Sequence, residues 1–190
     1  MLTRWAVDIV ELPKFGDTIR VVTTPKAFNS FYANRFYKVL NSDGKEIINA
    51  KTLWVFVNLD TRKPMVVTPE MYERYDLTPE DKKHFTKLES VKQLERIDYK
   101  KQFHVRLSDI DTNEHTNNSH YISWALEALP TNFQQSKILR SIHVNYLKET
   151  NLDDNLISGV QIETNDDTNE CLHSISKNDE VVCRVKSVWK

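Results

Sequence analysis

Asp111, Asn113 and His115 stand at every second position of the run Asp111-Thr112-Asn113-Glu114-His115-Thr116-Asn117-Asn118, and Tyr121 follows three residues on. A carboxylate, an amide and an imidazole are groups that proton transfer and carbonyl chemistry can use. In an extended segment the two-residue spacing turns all three to one side, so the sequence predicts them around one small volume. The stretch from Asn117 to Leu129 reads as a helix stopped by Pro130. The first amides of a helix have no internal partners and favour negative charge in front of them, which would suit an oxyanion. Asp111 or Asn113 alone could serve only an Asx-turn or a helix cap. It is the combination that points to chemistry.

The elements that must position this segment show an internal echo. Trp5, Val7 and Ile9 alternate with other residues, and Asp17 precedes a strand-like run from Ile19 to Val22. Ile142, Val144 and Tyr146 do the same, with Asp154 ahead of Leu156 and Ile157, at an offset of 137 residues in both comparisons. A turn at Asp43-Gly44 leads to Trp54, and one at Asn178-Asp179 leads to Trp189, at an offset of 135. Turn residues followed by β-branched alternation signal hairpins, so each half is expected to be a meander of long strands. The second copy has a strand at Tyr99 to Arg106, the motif and the helix ahead of Ile142, whereas only four residues precede Trp5. The first copy is therefore expected to lack a strand and a helix.

Three regions result: residues 1–67, residues 68–98 and residues 99–190. The middle one carries two helix-start signals, Thr68-Pro69-Glu70 and Thr78-Pro79-Glu80, and no glycine, so it reads as a connector with short helices. In the first region an absent helix would leave apolar residues of Trp5 to Val10 and Leu53 to Val57 uncovered. That favours association, and a homodimer is one expected assembly.

The chain has 190 residues, 22.3 kDa, a net charge of −1 and a pI near 6.6. It is long enough for a sizeable core, and it carries no electrostatic footprint for nucleic acid. The longest uninterrupted apolar run is the five residues Leu53 to Val57, too short for a membrane span. Two cysteines, Cys171 and Cys183, do not make a disulfide framework, and both are expected as buried small hydrophobes. A soluble, cytoplasmic protein is expected. His115 and His120 have no third ligand at a useful spacing, so neither metal nor cofactor is expected. His84, His104, His120, His143 and His173 read as ordinary surface or sheet residues.

The motif Ser108-Asp109-Ile110-Asp111-Thr112-Asn113-Glu114-His115-Thr116-Asn117-Asn118, continued by Tyr121, Trp124, Glu127 and Pro130, resembles that of the plant and bacterial acyl-acyl carrier protein thioesterases. Val144-Asn145-Tyr146-Leu147-Lys148-Glu149, Leu12-Pro13-Lys14-Phe15-Gly16-Asp17 and the run from Trp54 to Pro64 extend the resemblance over nearly the whole chain. It implies an α+β fold of tandem hotdog domains, each an antiparallel sheet wrapped around a central helix, with the first copy short of its helix. The apolar residues Tyr121, Ile122, Trp124, Ala125, Leu126, Ala128 and Leu129 fit a helix gripped by a curved sheet.

The implied activity is hydrolysis of the thioester of fatty acyl-acyl carrier protein, with the acyl carrier protein as partner and release of the free acid. Catalytic roles fall on Asp111, Asn113, His115 and Glu149, and candidate substrate contacts on Asn117, Asn118, Tyr121 and Trp124. Thr150 stands where an older account of the family placed a nucleophilic cysteine, which leaves activated water. A thiol leaving group of pKa near ~8.5 departs with modest help, so the difficult steps are making hydroxide and holding the oxyanion. Either Asp111 or Glu149 could be the base, with His115 orienting the water or passing the proton to sulfur. Lys137, Arg140 and Lys148 are expected as basic contacts for an acidic carrier. A non-hydrolytic acyl-carrier binding protein and a hotdog acyl-CoA thioesterase are the alternatives.

Overall fold

The computed structural model describes all 190 residues, which form two compact units, Met1–Glu89 and Ser90–Lys190. In the first unit, β1 (Leu2–Ile9), β2 (Arg20–Asn29), β3 (Tyr32–Leu40) and β4 (Glu46–Val55) pair antiparallel in the order β2-β3-β4-β1. The turn between β3 and β4 places Gly44 at φ +80°, a conformation that favours glycine. Both proline-led signals are used: α1 spans Pro69–Arg74, and a single 3-10 stretch spans Pro79–His84. The second is fixed by Asp81, whose carboxylate accepts the Thr78 amide at 2.8 Å and its hydroxyl at 3.0 Å.

The second unit contains β5 (Tyr99–His104), α2 (Asn118–Glu127), α3 (Thr131–Ser136), β6 (Leu139–Tyr146), β7 (Asn155–Thr164), β8 (Asn169–Lys177) and β9 (Glu180–Trp189). Its strands are antiparallel in the order β6-β9-β8-β7-β5. Between the paired residues Lys177 and Glu180, Asn178 and Asp179 both take positive φ, 48° and 65°, the two-residue turn that suits a hairpin's twist. Residues 95–98 lie along β7: the Gln161 side-chain carbonyl accepts the Glu95 amide at 2.7 Å, and the Asp98 carboxylate accepts the Ile162 amide at 2.8 Å.

The repeat is real in three dimensions. Strands β1, β2, β3 and β4 recur in order as β6, β7, β8 and β9, and Leu2–Ile9 and Leu139–Tyr146 have the same length at the same offset of 137. A side-chain detail recurs as well. The Trp54 indole donates to the Thr52 hydroxyl at 2.8 Å, and the Trp189 indole donates to the Ser187 hydroxyl at 2.8 Å.

Helix α2 packs on β7, β8 and β9. It buries Tyr121, Trp124 and Ala125, and the core beneath includes Val144, Val160, Cys171, Ile175 and Val185. Each large apolar side chain so buried contributes roughly 1.5–3 kcal/mol, more than the intrinsic propensity of a ten-residue helix can supply. This is the hotdog arrangement, on the helix that the sequence marks out. The first unit has no helix longer than six residues. No helix of the chain is long and apolar enough to cross a membrane.

Candidate active site

The motif is a closed loop, and here the expected extended alternation is corrected. The Asp111 amide donates to the His115 carbonyl at 2.9 Å and the Glu114 amide to the Asp111 carbonyl at 3.0 Å, while an Ile110–Thr116 bridge closes the base. One Asp111 carboxylate oxygen accepts the Asn113 amide at 2.8 Å. Glu114 adopts a positive φ of 64°. This short-range bond offers the backbone an alternative to the strand, so Asp111 builds the turn that carries Asn113, which is exposed, and His115.

His115 and Glu149 meet although 34 positions separate them. Their Nε2 and Oε2 atoms lie 3.1 Å apart, with the side chains 30% and 40% exposed, so the pair is open to solvent and to a substrate. An imidazole held by a carboxylate at one nitrogen presents the other for proton transfer. Behind each of the two stands a buried threonine, Thr116 and Thr150, and these bond each other and Tyr121 in the core. The expected substrate contacts Tyr121 and Trp124 are 1% and 4% exposed.

The segment that leads into the motif is anchored by Asp109. Its side chain is fully buried. It accepts the Arg106 amide at 2.9 Å and the Arg106 guanidinium at 3.0 Å, with His120 Nδ1 at 3.6 Å. Burial opposes the charged form, but hydrogen bonds from the Arg106 side chain and backbone and the positive charges of Arg106 and His120 outweigh it, so the carboxyl lies below its usual range. The Asp109 carbonyl also accepts the Asn117 amide at 2.8 Å, which fixes the entry to α2. Sequence reasoning placed Asp109 in the motif without a role. Its position three residues after Arg106, ahead of the helix, was the available signal.

Asn117 is the cap of α2, its side chain accepting the Ser119 amide at 3.0 Å, and the His120 amide donates to the Asn117 carbonyl at 3.0 Å. Of the first-turn amides expected to meet an oxyanion, these two are already engaged. The Asn118 amide has no partner within the helix it begins. The Tyr146 hydroxyl donates to the Asn118 carbonyl at 3.0 Å, which ties the helix start to the end of β6.

Other expected residues take simpler places. Lys148 pairs with Glu180 on the surface, and Lys137 and Arg140 are half-buried. Cys171 and Cys183 are free and fully buried. Burial pushes the Cys171 thiol up to about 12 and the Cys183 thiol higher still, which makes both poor nucleophiles. His173 is a buried sheet residue, its Nε2 2.9 Å from the Ser187 hydroxyl.

Comparison with known proteins gives the family. The acyl-ACP thioesterase N-terminal domain matches residues 1–75, and the acyl-ACP thioesterase C-terminal domain matches residues 92–190. The chain belongs to the acyl-ACP thioesterase family. It is 28% identical over 171 residues to oleoyl-acyl carrier protein thioesterase 2 of Arabidopsis thaliana, an alignment that covers 85% of this chain and 47% of that protein. An acyl-ACP thioesterase from Bacteroides thetaiotaomicron superposes with a TM-score of 0.82 at 27% identity, covering all of this chain and 75% of the other. A Lactobacillus plantarum structure provisionally described as an oleoyl thioesterase reaches 0.92 at 26% identity, with the same coverage. The chain spans about half the length of the curated relatives it matches.

Proposed function

We propose that this member of the family hydrolyses the thioester of fatty acyl-acyl carrier protein, ending chain elongation by releasing the free acid. The observation that carries the reading is the solvent-accessible His115–Glu149 pair, 3.1 Å apart, in which His115 lies on the loop that runs into the start of α2 and Glu149 follows β6. In this reading Glu149 accepts from His115 Nε2, and the other ring nitrogen takes a proton from water. The water oxygen adds to the thioester carbonyl, and the oxyanion meets the Asn118 amide. Collapse breaks the carbon–sulfur bond, and the imidazolium returns its proton to the sulfur, so acid and thiol leave without a covalent enzyme intermediate. Asp111 serves the step by holding the turn, and Asn113 lies on that turn where an amide can bind water or substrate. Asn117 caps the helix at whose start the acyl group is handled.

An acidic carrier would meet Lys137 and Arg140, with Lys148 already partly neutralised by Glu180. Two free, buried thiols fit a reducing compartment such as the cytoplasm. The exposed apolar residues Val10, Leu12, Phe15 and Val21 of the first unit fit a homodimer. The test is steady-state hydrolysis of acyl-acyl carrier protein against acyl-CoA over a series of chain lengths. A clear preference for the carrier-bound substrate is expected. Preference for acyl-CoA would replace the substrate, and binding without turnover would replace hydrolysis with carriage.

A further inference from the structure

The buried hydroxyls behind the site form a network whose proton directions can be worked out. The Thr116 hydroxyl donates to the Thr150 carbonyl at 3.0 Å and lies 2.7 Å from the Thr150 hydroxyl. The Tyr121 hydroxyl lies 2.8 Å from the Thr150 hydroxyl and accepts the Thr150 amide at 3.0 Å. With the Thr116 proton committed to the carbonyl, Thr150 can donate to Thr116 while Tyr121 donates to Thr150. That direction satisfies every donor. The Tyr121 phenol is 1% exposed, so a partner for its proton inside the network spares a costly unsatisfied donor. Burial pushes this phenol up, although the Thr150 bonds oppose it, so it stays a donor.

The network joins three chain segments at the places that matter. Thr116 follows His115 and Thr150 follows Glu149, so one peptide separates each member of the pair from the clasp. The Thr116 amide also donates to the Thr150 carbonyl at 3.0 Å, and Tyr121 fixes both to α2. We propose that Thr116, Thr150 and Tyr121 are positioning residues that set the His115–Glu149 separation, an inference that rests on the functional reading above. None of the three touches the reacting atoms. Their effect is on the geometry of the pair, where a displacement of about 1 Å is enough to cost on the order of 100-fold in rate.

The test pairs Thr150→Val, which keeps the shape and removes the hydroxyl, with Thr150→Ser, which restores it, and adds Tyr121→Phe. Kinetics on acyl-acyl carrier protein and crystal structures of each variant are compared with the wild type. Thr150→Val and Tyr121→Phe are expected to lower kcat about 10- to 100-fold with KM changed less than about twofold, and Thr150→Ser to recover it. In the crystals the 3.1 Å pair is expected to open in Thr150→Val and close again in Thr150→Ser. A purely structural role would lower the melting temperature while leaving kcat per folded molecule and the separation unchanged, and that result overturns the proposal. Absence of hydrolysis by the wild type would overturn the functional reading instead. The separations in the variant crystals then decide the clasp alone.

Discussion

The same four-strand path is built twice, and only one copy carries the candidate site. The order β2-β3-β4-β1 of the first unit matches β7-β8-β9-β6 of the second, down to the indole–hydroxyl bond from Trp54 to Thr52 and from Trp189 to Ser187. The coverings differ. Arg20 to Thr24 of β2 are all exposed, whereas Ser158 to Gln161 of β7 are all buried, with α2, β5 and residues 95–98 packed around that strand. The strand path is therefore a chassis, and the candidate site is what the motif loop and α2 add to it. A sheet of this kind commits the chain to a fold; a reaction has to be argued from the loop that feeds the helix.

The sharpest way to break that contrast is to empty the loop while keeping the chassis. His115→Ala and Asp111→Ala are each expected to lose about 10²–10⁴ in kcat/KM toward acyl-acyl carrier protein, with circular dichroism unchanged. For His115 the loss is of the proton-handling group, and for Asp111 of the turn that presents it. Near-normal turnover by either folded variant would detach the loop from the function.

Next in size is the helix that only the second unit possesses. Trp124 is 4% exposed and stacks against Tyr121, Phe103 and His120. Trp124→Ala is expected to cost about 3–5 kcal/mol in urea unfolding. A loss below about 0.5 kcal/mol, the size of an ordinary surface change, would mean that α2 rests on the sheet without holding it.

Acid should also tell the two units apart. His173 is fully buried in β8, and burial lowers its pKa to about 3. The matching register place in the first unit, opposite Ala50, is Tyr37. An unfolded histidine takes a proton below about 6.5, so between pH 6.5 and 3 the unfolded chain binds one proton more than the native one. Stability attached to this group is intact above that window and falls as the pH falls through it, by roughly 1.4 kcal/mol per pH unit. His173→Gln is expected to flatten this part of the stability–pH curve. An unchanged slope would show that the acid sensitivity comes from elsewhere.

Much of this contrast was legible in the sequence because it rests on local rules. Period-two alternation and the Asn178-Asp179 turn marked the repeated strands, and Asn117 and Pro130 bracketed α2. The conformation of the motif was not, because an Asp carboxylate two residues before an amide competes with the extended backbone that alternation suggests, and it won at Asp111 and Asn113. The Thr116–Thr150–Tyr121 network was also missed. Thr150 lies 29 positions from Tyr121 and 34 from Thr116, and nothing in a local pattern brings two such threonines together. Thr150 drew notice only as the residue in place of a cysteine.

The smallest expected effect probes the detail that the two sheets share. Thr52 and Ser187 each accept an indole N–H at 2.8 Å, and each has a second partner: Thr52 donates to the Arg35 carbonyl at 2.7 Å, and Ser187 meets His173 Nε2 at 2.9 Å. Trp189 is 6% exposed while Trp54 is only half-buried, so a lost partner can be replaced by water at Trp54 and not at Trp189. Ser187→Ala should therefore leave a buried indole and imidazole unsatisfied, at about 1–3 kcal/mol, whereas Thr52→Val, which removes the acceptor of the half-buried Trp54 indole and one donor to the carbonyl of half-buried Arg35, should cost about 1 kcal/mol. Equal losses in urea unfolding would make the two bonds equivalent and place the asymmetry of the units wholly in α2 and its loop. A larger loss for Ser187→Ala would show that the helix-bearing copy has also tightened the sheet beneath it.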